Sequence, residues 1–368
     1  MRKTKLAIAL SVFAAPAFAA TTNLENPLYA PKTGEVYSKT NAGIMSKTAD
    51  GSDAHKKIGH DGEREFPIWR LGEEIGVGIN DRLSVNGAFG YTIDNDIDRE
   101  GMHLGRLGLT YRAFDGTATD GWVFDIYADA HLGGVSAMKG EFDIFNKSFK
   151  YDNYANGRWG FYAGMRAGKT FGDLTLSAFG EVLQTYGNDN NKIRLGDSIK
   201  TAEDLIVAQS INPANFATYY AACQGGNAGA CQAVQLIGIA GMDDVLSVKL
   251  KSTTEFNAGL RAFYDLKNNW SLGGGFTYKH HADNGVKGVA VQQGNAPANA
   301  VANAIAAGLS DMNDGFDEYI LSASVAKQLN DSVQLAAYGE YTMDTSHPNS
   351  QNGTDAKAEV GVRVNARF

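Results

Sequence analysis

The residues of this chain best placed to do chemistry are its dispersed charges. Arg70, Arg106, Arg112, Arg158, Arg166, Lys249, Arg261 and Arg363 each occupy the polar position of a two-residue alternation, and so do Glu74, Asp125, Asp129, Glu181, Glu255, Glu318, Glu340 and Glu359. Guanidinium groups facing carboxylates across a water-filled space set up a transverse field that orients small polar solutes. The same groups placed side by side on neighbouring strands pair off and fill the space as a salt-bridge network. The sequence leaves both arrangements open. Arg106, Arg112, Arg158 and Arg166 fall on neighbouring strands, and Glu318, Glu340 and Glu359 fall on three consecutive ones. That grouping suggests a basic wall opposite an acidic one, around a narrow pore.

Nucleophilic chemistry finds less support. The stretch "KHHADNG" (279–285) resembles the motif of the outer-membrane phospholipase A family, in which His is followed by any residue, Ser, Asn and Gly. Here Asp283 stands where the nucleophilic Ser belongs, so His281 has no hydroxyl to activate. "TSHPNS" near the C-terminus also fails the pattern. His280, His281 and Asp283 could touch a surface metal, but the sequence demands neither a metal nor a cofactor. Strings such as "GVGIND" and "GGGF" sit inside alternating strands, where glycines permit bends rather than cradle phosphates. Cys223 and Cys231 are the two cysteines of the chain, and in an exported protein an even pair is expected to form a disulfide.

What positions these charges is a repeated two-faced strand. The closing stretch "AEVGVRVNARF" puts Ala358, Val360, Val362, Val364, Ala366 and Phe368 on one face, and Glu359, Arg363 and Arg367 on the other. Trp69, Leu71, Ile75 and Val77 alternate with Arg70 and Glu74 in the same way. So do Trp122, Phe124, Ile126 and Ala128 with Asp125 and Asp129, and Tyr319, Leu321, Ala323 and Val325 with Glu318 and Ser322. We count about twelve such segments, each of the roughly ten residues that a tilted membrane strand requires. A composition of 43 Gly, 16 Tyr and 18 Phe with only 7 Pro fits such strands.

The connections alternate in length. Short ones ("NDR" at 80–82, "GD" at 172–173, "KNN" at 267–269, "ND" at 330–331) are built from tight-turn residues. Long ones cover 48–65, 94–101, 134–156, 187–244, 281–315 and 345–355. Such sorting gives an all-β fold: a closed antiparallel transmembrane β-barrel with short turns at one end and long loops at the other. Closure follows because no strand edge can lie unpaired in hydrocarbon. The longest loop, 187–244, is Ala-rich, with a capping-box start at Thr201 and an Asn212-Pro213 helix start, so it is expected to be a partly helical external insertion. "ANAVANAIAAGLSD" (298–311) is a second helical candidate.

The first nineteen residues combine Arg2, Lys3 and Lys5 with an apolar stretch and Ala17-Phe18-Ala19, the layout of a secretory signal peptide. Its removal takes three cations and no anion, moving the formal charge from −8 to about −11, a balance that argues against a nucleic-acid partner. Residues 20–33 then read as an N-terminal periplasmic segment and 34–368 as the barrel.

Together the signal, the strand pattern and the terminal Phe368 resemble Gram-negative outer-membrane β-barrel proteins, whose last strand ends in an aromatic residue. That resemblance implies an outer-membrane location with both termini periplasmic, contact with membrane lipid, and recognition of the Phe368 strand by the barrel-assembly machinery. The charged inward faces and the missing nucleophile constellation lead us to expect porin-like, non-enzymatic passage of small polar solutes. The alternative is a barrel that anchors partner-binding loops at the surface.

Overall fold

Alternating sequence becomes alternating structure. The computed structural model describes residues 23–47, 68–94, 99–117, 121–132, 139–143, 148–151, 158–187, 191–195, 216–231, 233, 245–266, 268–282, 286–291, 315–343 and 357–368. In chain order the strands are β1 (Val36–Lys47), β2 (Ile68–Gly78), β3 (Leu83–Asp94), β4 (Arg99–Asp115), β5 (Trp122–His131) and β6 (Lys139–Asp143). Next come β7 (Ser148–Tyr151), β8 (Arg158–Phe171), β9 (Leu174–Gly187), β10 (Asn191–Leu195), β11 (Val245–Leu250) and β12 (Thr253–Leu266). The last five are β13 (Trp270–His281), β14 (Val286–Val291), β15 (Phe316–Gln328), β16 (Val333–Thr342) and β17 (Lys357–Arg367).

Twelve of these close into one barrel in the order β1-β17-β16-β15-β13-β12-β9-β8-β5-β4-β3-β2. Every neighbouring pair is antiparallel, and the seam joins the first strand to the last, with Gly43 opposite Gly361. Val36 and Phe368 exchange backbone hydrogen bonds of 2.8 and 3.1 Å, so the chain's aromatic end is stitched into the sheet. The barrel is mostly apolar on the outside, with Glu73 held there by Ser38 and Thr40. Leu260, Val360, Leu107, Trp122 and Met165 are among its most exposed side chains, while Gln334, Asn365, Asp125 and Thr175 are almost fully buried inside. That inversion suits a wall that faces hydrocarbon.

The short turns have local causes. Asn80 Oδ1 accepts the backbone N–H groups of Arg82 and Leu83, and Asn330 Oδ1 does the same for Ser332 and Val333. Asn268 and Asn269 both take positive φ, as a two-residue hairpin turn of type I′ demands.

The long-loop end departs from expectation. Five short strands form a second sheet, ordered β14-β11-β10-β6-β7, in which only β10 and β6 run parallel. β11 and β12 had read as one barrel strand, because Val248 and Leu250 keep the same phase as Phe256, Ala258 and Leu260 across the polar stretch Lys251–Glu255. The chain breaks at Lys251–Ser252, so Lys249 lies on the second sheet and not on the barrel wall. An α-helix, α1 (Phe216–Gln224), falls in the longest loop, a second short helical stretch follows at 228–231, and Cys223 and Cys231 link the two as a disulfide with Cα atoms 4.5 Å apart. The helix starts proposed at Thr201 and Asn212-Pro213, the segment 298–311 and Asp283 lie outside the described residues.

Candidate functional site

The inward faces of the strands bring most of the sequence-identified charges into one lumen. On the wall formed by β4, β5 and β8, strand register alone sets Arg112, Asp125 and Arg166 in a row, each directly opposite the next. Asp125 is 1% exposed and accepts from both neighbours, through Arg112 Nε at 2.9 Å and Arg166 Nε at 3.2 Å. Arg106 lies 3.8 Å from both Glu74 and Asp129. These three arginines therefore form a neutralised lattice and not the bare basic wall that the sequence suggested. Arg158 heads β8, and its side chain is outside the described set.

The opposite wall is treated likewise. Arg70 Nη1 donates to Glu359 Oε2 at 3.1 Å, and Tyr338 donates to Glu359 Oε1 at 3.0 Å. Glu340 stands directly across from Glu359 in the β16–β17 register, a like-charge pair that Arg70 relieves. Glu181 accepts from Tyr127 at 2.8 Å and Asn257 at 3.0 Å, while Arg261 lies over the Phe179 ring at 4.8 Å. The tyrosine hydroxyls and Asn257 were not singled out from sequence. Tyr is as common outside a barrel as in, and only register tells which carboxylate it meets.

At the long-loop end, His281 bridges two strands, with Nδ1 3.0 Å from Glu255 and Nε2 3.1 Å from Glu318. Lys357 completes the group, 3.6 Å from Glu318. Adjacent His280 points the other way and meets Asp317 at 2.8 Å. Period two thus separates the two histidines onto opposite faces of β13, and they cannot share a metal.

At the short-turn end, the residues before β1 enter the lumen instead of leading up to it from outside. Two Asn-initiated turns shape them. Asn23 Oδ1 accepts Glu25 N–H and Asn26 Oδ1 accepts Leu28 N–H, with Pro27 at the second position of the second turn. From this frame, Asn23 reaches Ser271 on β13 and Gln334 on β16 at 3.0 and 2.6 Å. Asn26 reaches Thr175 on β9 at 3.2 Å, and the Leu28 carbonyl accepts from Arg112 on β4 at 2.7 Å. Glu25 takes Arg363 Nη1 at 3.0 and 3.1 Å and Asn365 Nδ2 at 2.8 Å on β17.

Apolar packing backs these bonds. Leu24, Tyr29 and Tyr37 form a buried cluster, with Tyr29 edge-on to Tyr37 at 5.6 Å. Leu28 lies so close to Gly168 that a Cβ there would sit 2.9 Å from it. Burial alone would raise the Glu25 pKa, but the Arg363 charge, the Asn365 amide and Lys39 outweigh it and hold the carboxyl below its ordinary range. Burial, with Glu35 beside it, pushes the Tyr29 phenol up, so it remains a neutral donor to Glu35 at 3.1 Å.

Between the two ends lies a chamber of about 510 Å³. Lys39, Glu74, Arg166, Glu181, Arg261 and Glu340 project around it, and residues 24–27 and 29–31 form its floor. One side is smooth, because Gly273, Ser322 and Ser324 present almost no side chain. A polar, wetted chamber of mixed charge can hold and orient small hydrophilic molecules.

No protein-family model matches the chain, and no curated relative matches it. Solved structures similar to it are barrels. The NanC porin is 7% identical over 88% of this chain and 98% of its own, with a TM-score of 0.41. OmpT, an outer-membrane protein of Vibrio cholerae, is 9% identical over 90% of this chain and 96% of its own, with a TM-score of 0.29. An anion-selective porin from Comamonas acidovorans is 8% identical over 91% of this chain and 99% of its own, with a TM-score of 0.31. At such values, what these proteins transport does not carry over to this chain.

Proposed function

We propose that this protein is an outer-membrane channel that passes small polar or charged solutes passively, and not an enzyme. Its apolar outer wall holds it in lipid, with the short turns and both termini on the periplasmic side and the long loops outside. Residues 1–19 direct export, and the Phe368 strand engages the assembly machinery. The observation that carries the reading is the chamber of about 510 Å³, bordered by both signs of charge inside a closed twelve-stranded wall. A filled lumen is the norm at eight strands and an open channel at sixteen, so a narrow passage fits twelve.

Single-channel recording of the refolded protein tests this, with and without residues 23–31, beside a variant carrying Glu318→Gln, Glu340→Gln and Glu359→Gln. We expect discrete conductance steps, and a reversal potential that moves toward anion preference in the variant. Silence from a correctly folded barrel in both chain lengths contradicts the channel. A second reading, a membrane anchor whose outer structure binds a partner, draws on the five-stranded sheet and the disulfide-linked turn at the long-loop end.

A further inference from the structure

The polar residues lining the short-turn mouth would face water in an open pore. Instead Gln334 and Asn365 are 0% exposed, Thr175 is 1% and Ser271 is 2%. Each of these four is in direct hydrogen-bond contact with residues 23–26. The contacts do not favour one side. Including the Gly34 N–H bond to Gly78 at 2.8 Å, the N-terminal stretch touches β1, β2, β4, β8, β9, β13, β16 and β17, which places support all the way round the rim. A lead-in strand passing the mouth would touch only its own neighbours.

The pattern is that of a ligand in a receptor. The mouth offers two amides (Gln334 and Asn365), two hydroxyls (Thr175 and Ser271) and two guanidiniums (Arg112 and Arg363), and a peptide meets each with a matched donor or acceptor. Its single carboxylate sits on Arg363 and Asn365, its carbonyl at Leu28 on Arg112, and its two Asn side chains on the amide and hydroxyls. Apolar Leu24, Leu28 and Tyr29 are buried between these contacts. Charged and polar points fix orientation while apolar residues supply burial, the division of labour of a specific peptide site.

We propose that the short-turn mouth is a peptide-binding site, occupied in cis by residues 23–31, and that this occupancy closes the lumen. The closure rests on the channel reading above, whereas the binding site does not. Opening then consists of withdrawing the segment as a unit about the Thr33–Gly78 bridge, which ties the following residues to the rim. Glu25 is the latch, because it is the segment's one charge-to-charge contact with the wall among the described residues.

The test uses a barrel lacking residues 23–31 and a fluorescein-labelled synthetic peptide of the sequence NLENPLYAP. Anisotropy measures binding in detergent, and heat-modifiable gel migration verifies that each barrel is folded. The deletion barrel should bind the peptide, and the full chain, whose site is filled, should not. A peptide with Gln in place of Glu25, or a deletion barrel with Arg363→Gln, should bind at least about tenfold more weakly, the factor corresponding to about 1.4 kcal/mol. In bilayers the deletion barrel should stay open longer than the full chain, and added peptide should block it from one side. Failure of the folded deletion barrel to bind, or equal binding by both chains, overturns the site. Equal open times in the two chains, with binding intact, overturn the closure. If neither chain conducts while the peptide still binds, the channel reading falls and the site stands.

Discussion

The two ends of the barrel treat the same kind of residue differently. At the short-turn end, polar wall residues are buried to near zero exposure beneath residues 23–31, and apolar side chains pack among them. At the long-loop end, charges meet chiefly one another, with Asn257 on Glu255 and the Phe316 ring against His281. His281 spans Glu255 and Glu318, Lys357 joins them, and all remain partly exposed. One end is packed like an interface and the other is wired like a pore lining. The difference teaches that a strand's period decides which way a side chain points, while what fills the space inside is decided by segments with no period at all.

The largest effect should come from breaking the wall on which the packed end rests. Asp125→Asn leaves Arg112 and Arg166 without their shared partner, and removing one member of a buried ion pair costs about 3–5 kcal/mol. Urea unfolding followed by tryptophan fluorescence should report that loss. A cost below about 1 kcal/mol would mean that the row is solvated and not structural.

Acid should act on the packed end next. Glu25 is held below the ordinary carboxylate value of 4.5 by Arg363, Asn365 and Lys39. Above that value the group is charged whether the segment is seated or withdrawn, so the latch contributes in full. As pH falls through the depressed value of the seated carboxyl, the contribution is lost. Open time in bilayers should therefore rise on acidification below about 4.5 in the native chain and stay flat in Glu25→Gln. A pH response unchanged by that substitution would place the acid sensor elsewhere.

At the wired end the effects shrink. His281→Leu removes two hydrogen bonds to charged partners that retain some access to water, and about 1–2 kcal/mol of stability with it. Peptide binding at the far mouth should not change. Smallest of all, replacing Cys223 and Cys231 with Ser cuts a cross-link inside one loop, and barrel unfolding should stay within about 0.5 kcal/mol of the native protein.

Particular residues show how far sequence alone reaches. The barrel was legible because Trp69 to Val77 or Ala358 to Phe368 repeat one rule, and the short turns because Asn80, Asn268 and Asn330 carry their geometry with them. Arg112, Asp125 and Arg166 were recognised as luminal, but their pairing depends on which strands are neighbours and on the register between them, both of which are set by distant turns. Lys249 was misplaced because the apolar phase of Val248 and Leu250 resumes unchanged at Phe256, so the polar stretch between, where the chain leaves one sheet for the other, passed as part of one strand. The short strands β6, β7 and β10 are four or five residues long, too few for a period to register. Residues 23–31 did contain a signal in Asn23, Asn26 and Pro27, yet turn residues say that a chain bends and not where it goes.

The central claim is that current flows through this lumen. Ser322→Cys places one thiol on the smooth inner side of the chamber, and Leu321→Cys places one on the lipid face of the same strand. The native cysteines are bonded to each other, so a charged methanethiosulfonate reagent would meet only the new thiol. In the barrel lacking residues 23–31, the reagent should cut single-channel conductance in one step at Ser322→Cys and leave Leu321→Cys unchanged. Conductance that ignores modification at Ser322→Cys, once mass spectrometry shows the adduct, would contradict a passage through the barrel.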